Sequence, residues 1–192
     1  RNGWLFHGQA VTHLTGPGFL EERILIRRVR DVAGRESAPH PDPIPAITDF
    51  RDQLAERDIE LVVMPVPPKA AIHPERLSRR YEGATGPIYN PSFPEFRRRL
   101  EERGVRIFDP SDALWETREE KGAAFLATDS HWTPEGAGAA ARALAAYLRE
   151  NLPLGEVAPV AYTATGLEVE NTGDVAVMLG LRAADARQFR DR

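Results

Sequence analysis

The hydrophobic and polar positions of this chain alternate between two patterns, one typical of helices and one typical of strands. Helices are predicted where apolar side chains recur every three or four residues, and strands where short apolar runs are bounded by polar or turn-forming residues. The predicted helices cover residues 46–57, 93–103, 111–119 and 134–151, and the predicted strands cover residues 59–66, 105–109 and 123–128. Helix and strand therefore alternate through the middle of the chain.

This alternation predicts the fold class. Strands separated by helices are most economically arranged as a parallel sheet with helices on both faces. We therefore predict an α/β protein, a three-layer sandwich with a mainly parallel sheet of flavodoxin-like type, built as one domain over residues 1–192. Beyond this region, β-like alternation continues at 161–170, and a short capped helix is predicted from Val175 to Gly180.

Composition narrows the classes of function. The chain is 42% hydrophobic and 28% charged, which is ordinary for a globular protein with a core. Its net charge of -4 offers no general attraction for a polyanion, so we expect no nucleic-acid partner. The absence of cysteine excludes disulfides, thiolate metal sites and a cysteine nucleophile. The chain begins with Arg1 rather than Met, and we expect it to be processed or incomplete.

Candidate chemistry is concentrated just beyond the predicted strand at 123–128. Asp129 and His131 follow its end, and ligands of parallel sheets bind beyond the carboxyl ends of strands. Thr133 and Pro134 suit the first positions of the next helix, whose dipole lowers the pKa of a nearby histidine while a carboxylate raises it. Asp129 would accept a hydrogen bond from one ring nitrogen, leaving the other to take a proton from a hydroxyl nucleophile.

Two other interpretations of the same residues stay open at this point. In one, Asp129 caps a turn and His131 is a packed loop residue. In the other, both residues ligate a metal, as in a metal-dependent hydrolase, although no third ligand stands at a suitable spacing. An acid and a histidine two positions apart do not by themselves choose among these alternatives.

Four stretches of the chain resemble the AlgX/AlgJ-like, SGNH-hydrolase-type polysaccharide O-acetyltransferases. The run DSHWTPEG at 129–136 is similar to the D-x-H-W-T-x-x-G signature of that family. The run NGWLF at 2–6 resembles its opening strand, and VMPVPPK at 63–69 resembles its V-x-x-P-x-K strand end. The run TGDVAVMLGL at 172–181 resembles its G-D-x-x-x-M-L-G-L segment, and the order of the four also matches.

The resemblance implies a fold, an activity and a location. The fold would be SGNH-hydrolase-like with a circularly permuted order of motifs. The activity would be O-acetyl transfer to, or ester hydrolysis on, an exported polysaccharide such as alginate, through a Ser-His-Asp triad that includes Asp129 and His131. The partners would be the polysaccharide and a membrane O-acyltransferase that delivers the acetyl donor. We expect no cofactor and no metal, and a periplasmic or membrane-anchored location outside the cytoplasm.

The nucleophile of that triad is missing from the chain. The family resembled here carries its serine in a Gly-Asp-Ser turn after the M-L-G-L segment, whereas Gly173 and Asp174 are followed by Val175. The five serines lie elsewhere, at Ser37, Ser78, Ser92, Ser111 and Ser130. We expect that the chain stops before the nucleophile and is inactive by itself. The alternative is a non-catalytic carbohydrate-binding or scaffold subunit of a polysaccharide export complex.

Three further residues are candidates for binding substrate. Lys69 follows a predicted buried strand, where it would contact an anionic substrate or a developing oxyanion, or else be a solvated lysine of the loop. Tyr89 lies in a long irregular segment, and sugars commonly stack on such aromatic side chains. Trp132 stands next to His131, where it would either contact the substrate or pack.

Overall fold

A computed structural model describes residues 3–31, 40–155, 158, 160–180 and 189–191. Asn2, Ser37 and Leu181, which the sequence analysis singled out, lie outside these residues. In chain order the elements are α1 (Gly8–Thr15), α2 (Glu22–Asp31), α3 (Pro43–Ala55), β1 (Val62–Val63), α4 (Lys69–Ile72), α5 (Pro74–Leu77), a 3₁₀ turn (Arg79–Tyr81), α6 (Phe93–Glu101), β2 (Arg106–Ile107), α7 (Ser111–Lys121), α8 (Pro134–Asn151), β3 (Asn171–Thr172), α9 (Asp174–Met178) and β4 (Arg190–Asp191). Within the described ranges, no helix combines the length and the apolar character needed to cross a bilayer.

The chain forms two compact units. The first comprises residues 1–8, 67–87 and 110–192, and the second comprises residues 9–66 and 88–109.

The second unit contains the parallel pairing that the sequence predicted. Strand β1 pairs with β2, with Val62 opposite Arg106 and Val63 opposite Ile107. Each strand pairs over two residues only, so the ladder is shorter than the strands predicted at 59–66 and 105–109. Its core is formed by apolar side chains of α3, α6 and β2 with their neighbours, namely Ile44, Phe96, Leu100, Val105 and Ile107.

The first unit has its own core and contains Asp129, His131, Lys69 and Trp132. Helices α7 and α8 pack together around Ile72, Leu114, Ala124, Phe125 and Ala140, with Trp4 and Trp132 against this cluster. Helix α8 begins where the sequence predicted, because the Thr133 hydroxyl accepts a hydrogen bond from the Gly136 N–H at 3.1 Å and Pro134 fits the first turn.

Several predicted strands of this unit do not form ladders. Residues 123–128 make only an isolated bridge from Phe125 to Trp132, because the chain turns back on itself. The Leu126 N–H donates to the His131 carbonyl at 3.1 Å, so local backbone pairing replaces a neighbouring strand. Residues 161–170 have no regular secondary structure and are exposed, since nothing in the described residues covers their apolar positions.

A buried histidine, His73, lies in the core of this unit. It is fully buried, and its Nε2 accepts a hydrogen bond from the Ala124 N–H at 3.1 Å, which places the proton of the neutral ring on Nδ1. Burial, followed by the positive charges of Arg118, Arg76 and Lys69, lowers the pKa of His73 to about 3. The folded protein therefore holds this imidazole neutral over most of the accessible pH range.

We expect the His73 imidazole to make the protein less stable in acid. The unfolded chain binds a proton at His73 near pH 6.5 and the folded chain only near pH 3. The contribution of neutral His73 to the free energy of unfolding is therefore complete above pH 6.5 and is lost as the pH falls towards 3. The slope is at most about 1.4 kcal/mol per pH unit. Denaturant unfolding from pH 7 to pH 4 should show a weaker acid dependence for His73→Gln than for the wild type and for the exposed control His40→Gln. If the unfolding free energy depends on pH in the same way in all three proteins, His73 is not the source of the acid sensitivity.

Candidate active site

Asp129 and His131 are joined by a short, direct hydrogen bond. The Asp129 Oδ1 lies 2.6 Å from the His131 Nδ1, and the same oxygen accepts the His131 backbone N–H at 2.9 Å. Because one carboxylate oxygen binds both groups, the orientation of the ring is fixed relative to its own backbone. The Asp129 side chain is 10% exposed and the His131 side chain is 78% exposed. Among the described residues the ring is hydrogen-bonded through Nδ1, and with the side chain so exposed the lone pair of Nε2 is available.

The electrostatics of the pair agree with its geometry. Burial acts to raise the pKa of Asp129, but hydrogen bonds from the Asp174 backbone and from the ring and backbone of His131 lower it to about 2. The hydrogen bond to Asp129, reinforced by the negative charge of that residue, raises the pKa of His131 above its ordinary value. The carboxylate thus outweighs the opposing effect of burial on the pKa of His131. Asp129 is ionised at neutral pH, and the neutral imidazole carries its proton on Nδ1.

Asp174 completes this arrangement, although it is not among the site residues predicted from the sequence. Its backbone N–H donates to the Asp129 Oδ2 at 2.9 Å, and its Oδ1 accepts the Ser130 N–H at 2.6 Å. Asp174 is 45 residues away from Asp129 in sequence, so spacing could not associate the two. The available signal was its place in the G-D-x-x-x-M-L-G-L segment, directly after a glycine.

Gly173 explains why a glycine stands before this aspartate. A Cβ atom added at Gly173 would overlap the Thr128 carbonyl and the Asp129 amide nitrogen. The Ala176 N–H also donates to the Thr128 carbonyl, at 3.2 Å. The absence of a side chain at Gly173 therefore allows the start of α9 to lie directly against the loop that carries Asp129.

Ser130 stands between the acid and the histidine but does not face the free ring nitrogen. Its hydroxyl donates a hydrogen bond to the Asp174 Oδ2. Ser130 therefore helps to hold Asp174 in place and is not arranged as a nucleophile.

Asp129, His131 and Asp174 also lie close enough together to be considered as metal ligands. One ligand atom from each lies within 4.8 Å of the others, so Asp174 is the third candidate ligand, which sequence spacing did not reveal. Yet the Asp129 carboxylate already accepts N–H groups from His131 and Asp174, and the Asp174 carboxylate accepts the N–H and hydroxyl of Ser130. Because both carboxylates already bind protein donors, we assign no metal here.

Lys69 is not the solvated loop lysine that one interpretation of the sequence suggested. It is only 6% exposed and begins the short helix α4. Its Nζ donates to the carbonyl oxygens of Leu126 and Ala127, both at 3.0 Å, and of Asp129 at 2.7 Å. Direct contact of Lys69 with a substrate stays a prediction, but its observed bonds are made to the loop that carries the Asp–His pair.

The two aromatic candidates are in different surroundings. Trp132 is half-buried and packs edge-on against Phe125, with ring centroids 6.4 Å apart, next to His131 in sequence. Tyr89 belongs to the second unit, where its hydroxyl donates to Asp109 at 3.0 Å and its ring stacks on Phe93 at 4.9 Å. A role of either residue in binding substrate stays a prediction, and the site described here is built from the first unit alone.

Comparisons of the chain with known proteins identify its family. Residues 1–191 match the family described as SGNH hydrolase-like domain, acetyltransferase AlgX. The probable alginate O-acetylase AlgJ of Pseudomonas aeruginosa is 34% identical over 131 residues, covering 67% of this chain and 32% of that protein. AlgJ of Pseudomonas putida is 33% identical over 138 residues, covering 70% of this chain and 34% of that protein.

The fold is similar to a solved structure from the same group. The O-acetyltransferase domain of Pseudomonas putida AlgJ aligns with a TM-score of 0.67 at 23% identity, over 100% of this chain and 60% of that one. The α/β, SGNH-hydrolase-like fold predicted from the sequence is thereby confirmed. The chain spans about a third of the length of the curated relatives that it matches. On the match over residues 1–191, this chain belongs to the SGNH hydrolase-like family of AlgX-type acetyltransferase domains.

Proposed function

We propose that this site is the acid–base part of an O-acetyltransferase that uses a serine nucleophile. Asp129 orients the imidazole and stabilises its protonated form, and His131 accepts the proton of the serine hydroxyl at Nε2. The observation that carries the proposal is the 2.6 Å contact between the Asp129 Oδ1 and the His131 Nδ1, together with the exposure of the opposite edge of the ring. This is the arrangement that a hydroxyl nucleophile requires of its base.

The proposed reaction has two halves. In the first, the serine oxygen attacks the acetyl carbonyl while its proton moves to the His131 Nε2. The imidazolium, stabilised by the Asp129 carboxylate, then returns that proton to the leaving group, and an acetyl-serine is formed. In the second half, His131 takes the proton of a sugar hydroxyl, which attacks the acetyl-serine, and the serine recovers a proton as the acetylated sugar leaves.

The nucleophile in this proposal is none of the five serines of the sequence. The resemblance that pointed to Asp129 and His131 implies a serine in a later Gly-Asp-Ser turn, and these 192 residues contain no such turn. We propose that the hydroxyl comes from a part of the full polypeptide outside these residues, and that these residues alone do not turn over substrate.

The relatives support the proposed acceptor. Those matched here are named probable alginate O-acetylases, so we propose a hydroxyl group of an exported polysaccharide as the acceptor. We propose also that a membrane O-acyltransferase delivers the acetyl donor and that the reaction takes place outside the cytoplasm. The alternative, a non-catalytic carbohydrate-binding or scaffold subunit, is favoured only by the absence of the serine from this sequence.

Trapping of an acetyl-enzyme tests the proposal. We expect the full-length polypeptide, incubated with a small activated acetyl ester, to gain the mass of one acetyl group on a serine outside the five named above. Addition of an alginate oligosaccharide should accelerate loss of this adduct and produce acetylated sugar, measured by mass spectrometry. A polypeptide that binds the oligosaccharide but neither forms the adduct nor hydrolyses the ester would support the scaffold alternative instead.

A further inference from the structure

We propose that Lys69 is a positioning residue of this site, whose buried ammonium fixes the backbone of the loop that carries Asp129 and thereby sets where the carboxylate meets His131. The proposal rests on the proposed function, since it assigns a purpose to the same Asp–His pair. It differs from the substrate-binding role that the sequence suggested for Lys69, because the contacts that support it are made to the protein itself.

The contacts of Lys69 converge on one short segment. Its Nζ is within 3.0 Å of three carbonyl oxygens, those of Leu126, Ala127 and Asp129. An ammonium group has three N–H donors, so the number of donors equals the number of these acceptors. The shortest of the bonds, 2.7 Å, is made to the carbonyl of Asp129 itself. Lys69 therefore acts directly on the backbone of the residue that binds the imidazole.

The amino-terminal segment of the chain also contributes to the described surroundings of this ammonium. The rings of Trp4 and Phe6 lie 5.5 Å and 5.3 Å from Nζ, within the range of cation–π attraction. Between them in sequence, the Leu5 N–H donates to the Ala127 carbonyl at 2.9 Å. The motifs around Trp4, Lys69 and Asp129 are far apart in sequence, and the fold brings them together around the Lys69 ammonium.

A lysine suits this position better than its nearest substitutes. Carbonyl oxygens that converge on one point repel each other, and a cation at that point replaces the repulsion by attraction. Methionine has a similar length but no donor, so Lys69→Met would remove these bonds from the buried carbonyls. Arginine keeps the charge, but its planar fork does not direct three N–H groups at one cluster of acceptors in the way that an ammonium does. In either variant the loop should relax and carry Asp129 away from His131.

The pKa of His131 distinguishes positioning from a direct effect of charge. Removing a cation near an imidazole favours its protonated form, so loss of the Lys69 charge alone would raise the pKa of His131. Loss of the hydrogen bond that Asp129 accepts from the ring, which now raises the pKa of His131, would instead lower that pKa towards 6.5. Asp129 and Asp174 are the charged groups of the described residues that raise the pKa of His131, and both are unchanged in the variant. The two explanations therefore predict shifts of opposite sign.

We expect Lys69→Met, in the full-length polypeptide, to lower the pKa of His131 measured by ¹⁵N NMR titration of labelled histidine. The kcat for a small acetyl ester should fall on the order of 10²-fold, with a smaller change in KM, since the loss is one of orientation. The other lysine of the sequence, Lys121, is exposed and provides the matched control Lys121→Met, which should leave both values unchanged. The core variant Leu114→Ala should reduce the melting temperature without moving the pKa.

A pKa of His131 that stays the same or rises in Lys69→Met would overturn the proposal. If Lys69→Met does not fold, the same titration of Lys69→Arg decides the question, because this variant keeps the charge. We expect a lowered pKa in Lys69→Arg too, and a wild-type value would overturn the proposal. The titration needs no turnover, so a wild-type protein without acetyltransferase activity would contradict the proposed function while leaving the positioning of Asp129 by Lys69 open to the same measurement.

Discussion

Replacing His131 with alanine should lower kcat/KM of the full-length protein for a small acetyl ester by about 10⁴-fold or more. The substitution removes the imidazole that we propose as the acceptor of the serine proton. Because the His131 side chain is 78% exposed, its loss should leave the fold intact, so unfolding cannot be the cause of the lost activity. Initial-rate kinetics together with the melting temperature would separate the two effects.

The pH profile of the wild type provides a second measure of the same role. A general base must be neutral to accept a proton, so activity should fall with decreasing pH as His131 becomes protonated. Since Asp129 raises the pKa of His131, the midpoint of this fall should lie above 6.5. The control His40→Ala, which removes an exposed histidine of the second unit, should retain the wild-type rate and profile. Equal rates for His131→Ala and the wild type would remove His131 from the mechanism.

Replacing Asp129 with asparagine should lower kcat by about 10³- to 10⁴-fold, with a smaller change in KM. An uncharged amide stabilises the imidazolium poorly, and it can also hold the ring in the wrong tautomer by donating a hydrogen bond to it. The acid limb of the pH profile should move to lower pH, because the carboxylate is the first cause of the raised pKa of His131. The exposed control Asp112→Asn removes the same charge elsewhere in the first unit and should leave kcat and the profile unchanged.

The same substitution should also cost stability at neutral pH. The pKa of Asp129 is about 2 in the folded protein against an ordinary 3.8, so its contribution is present above pH 3.8 and is lost as the pH falls towards 2. Kinetics of Asp129→Asn should therefore be measured well below its melting temperature. If kcat of the folded Asp129→Asn protein equals that of the wild type, Asp129 does not orient a catalytic base.

The sequence could predict the parts of this site that depend on neighbouring residues. Asp129 and His131 are two positions apart, and a loop that ends before a capped helix brings them together without help from distant segments. The start of α8 was predictable for the same reason, because Thr133 and Pro134 form the cap by local hydrogen bonding and backbone geometry. The wider α/β organisation followed from the alternation of periodicities and is confirmed.

The parts that depend on tertiary contacts could not be predicted in the same way. Periodicity identified 123–128 as apolar but could not show that its backbone would pair with Trp132 rather than with a neighbouring strand. The burial of Lys69 depends on carbonyl groups 57 to 60 residues away. Asp174 meets Asp129 across 45 residues. Each of these contacts joins segments that only the folded chain brings together.

The central claim is that the Asp129 carboxylate holds His131 through Nδ1 and so prepares Nε2 to accept a proton. A ¹⁵N NMR titration of His131 in the wild type and in Asp129→Asn tests this claim most directly. The account predicts a neutral ring protonated at Nδ1, with a pKa above 6.5 that falls in the Asp129→Asn variant. A neutral ring protonated at Nε2, or a pKa that does not respond to Asp129→Asn, would contradict it.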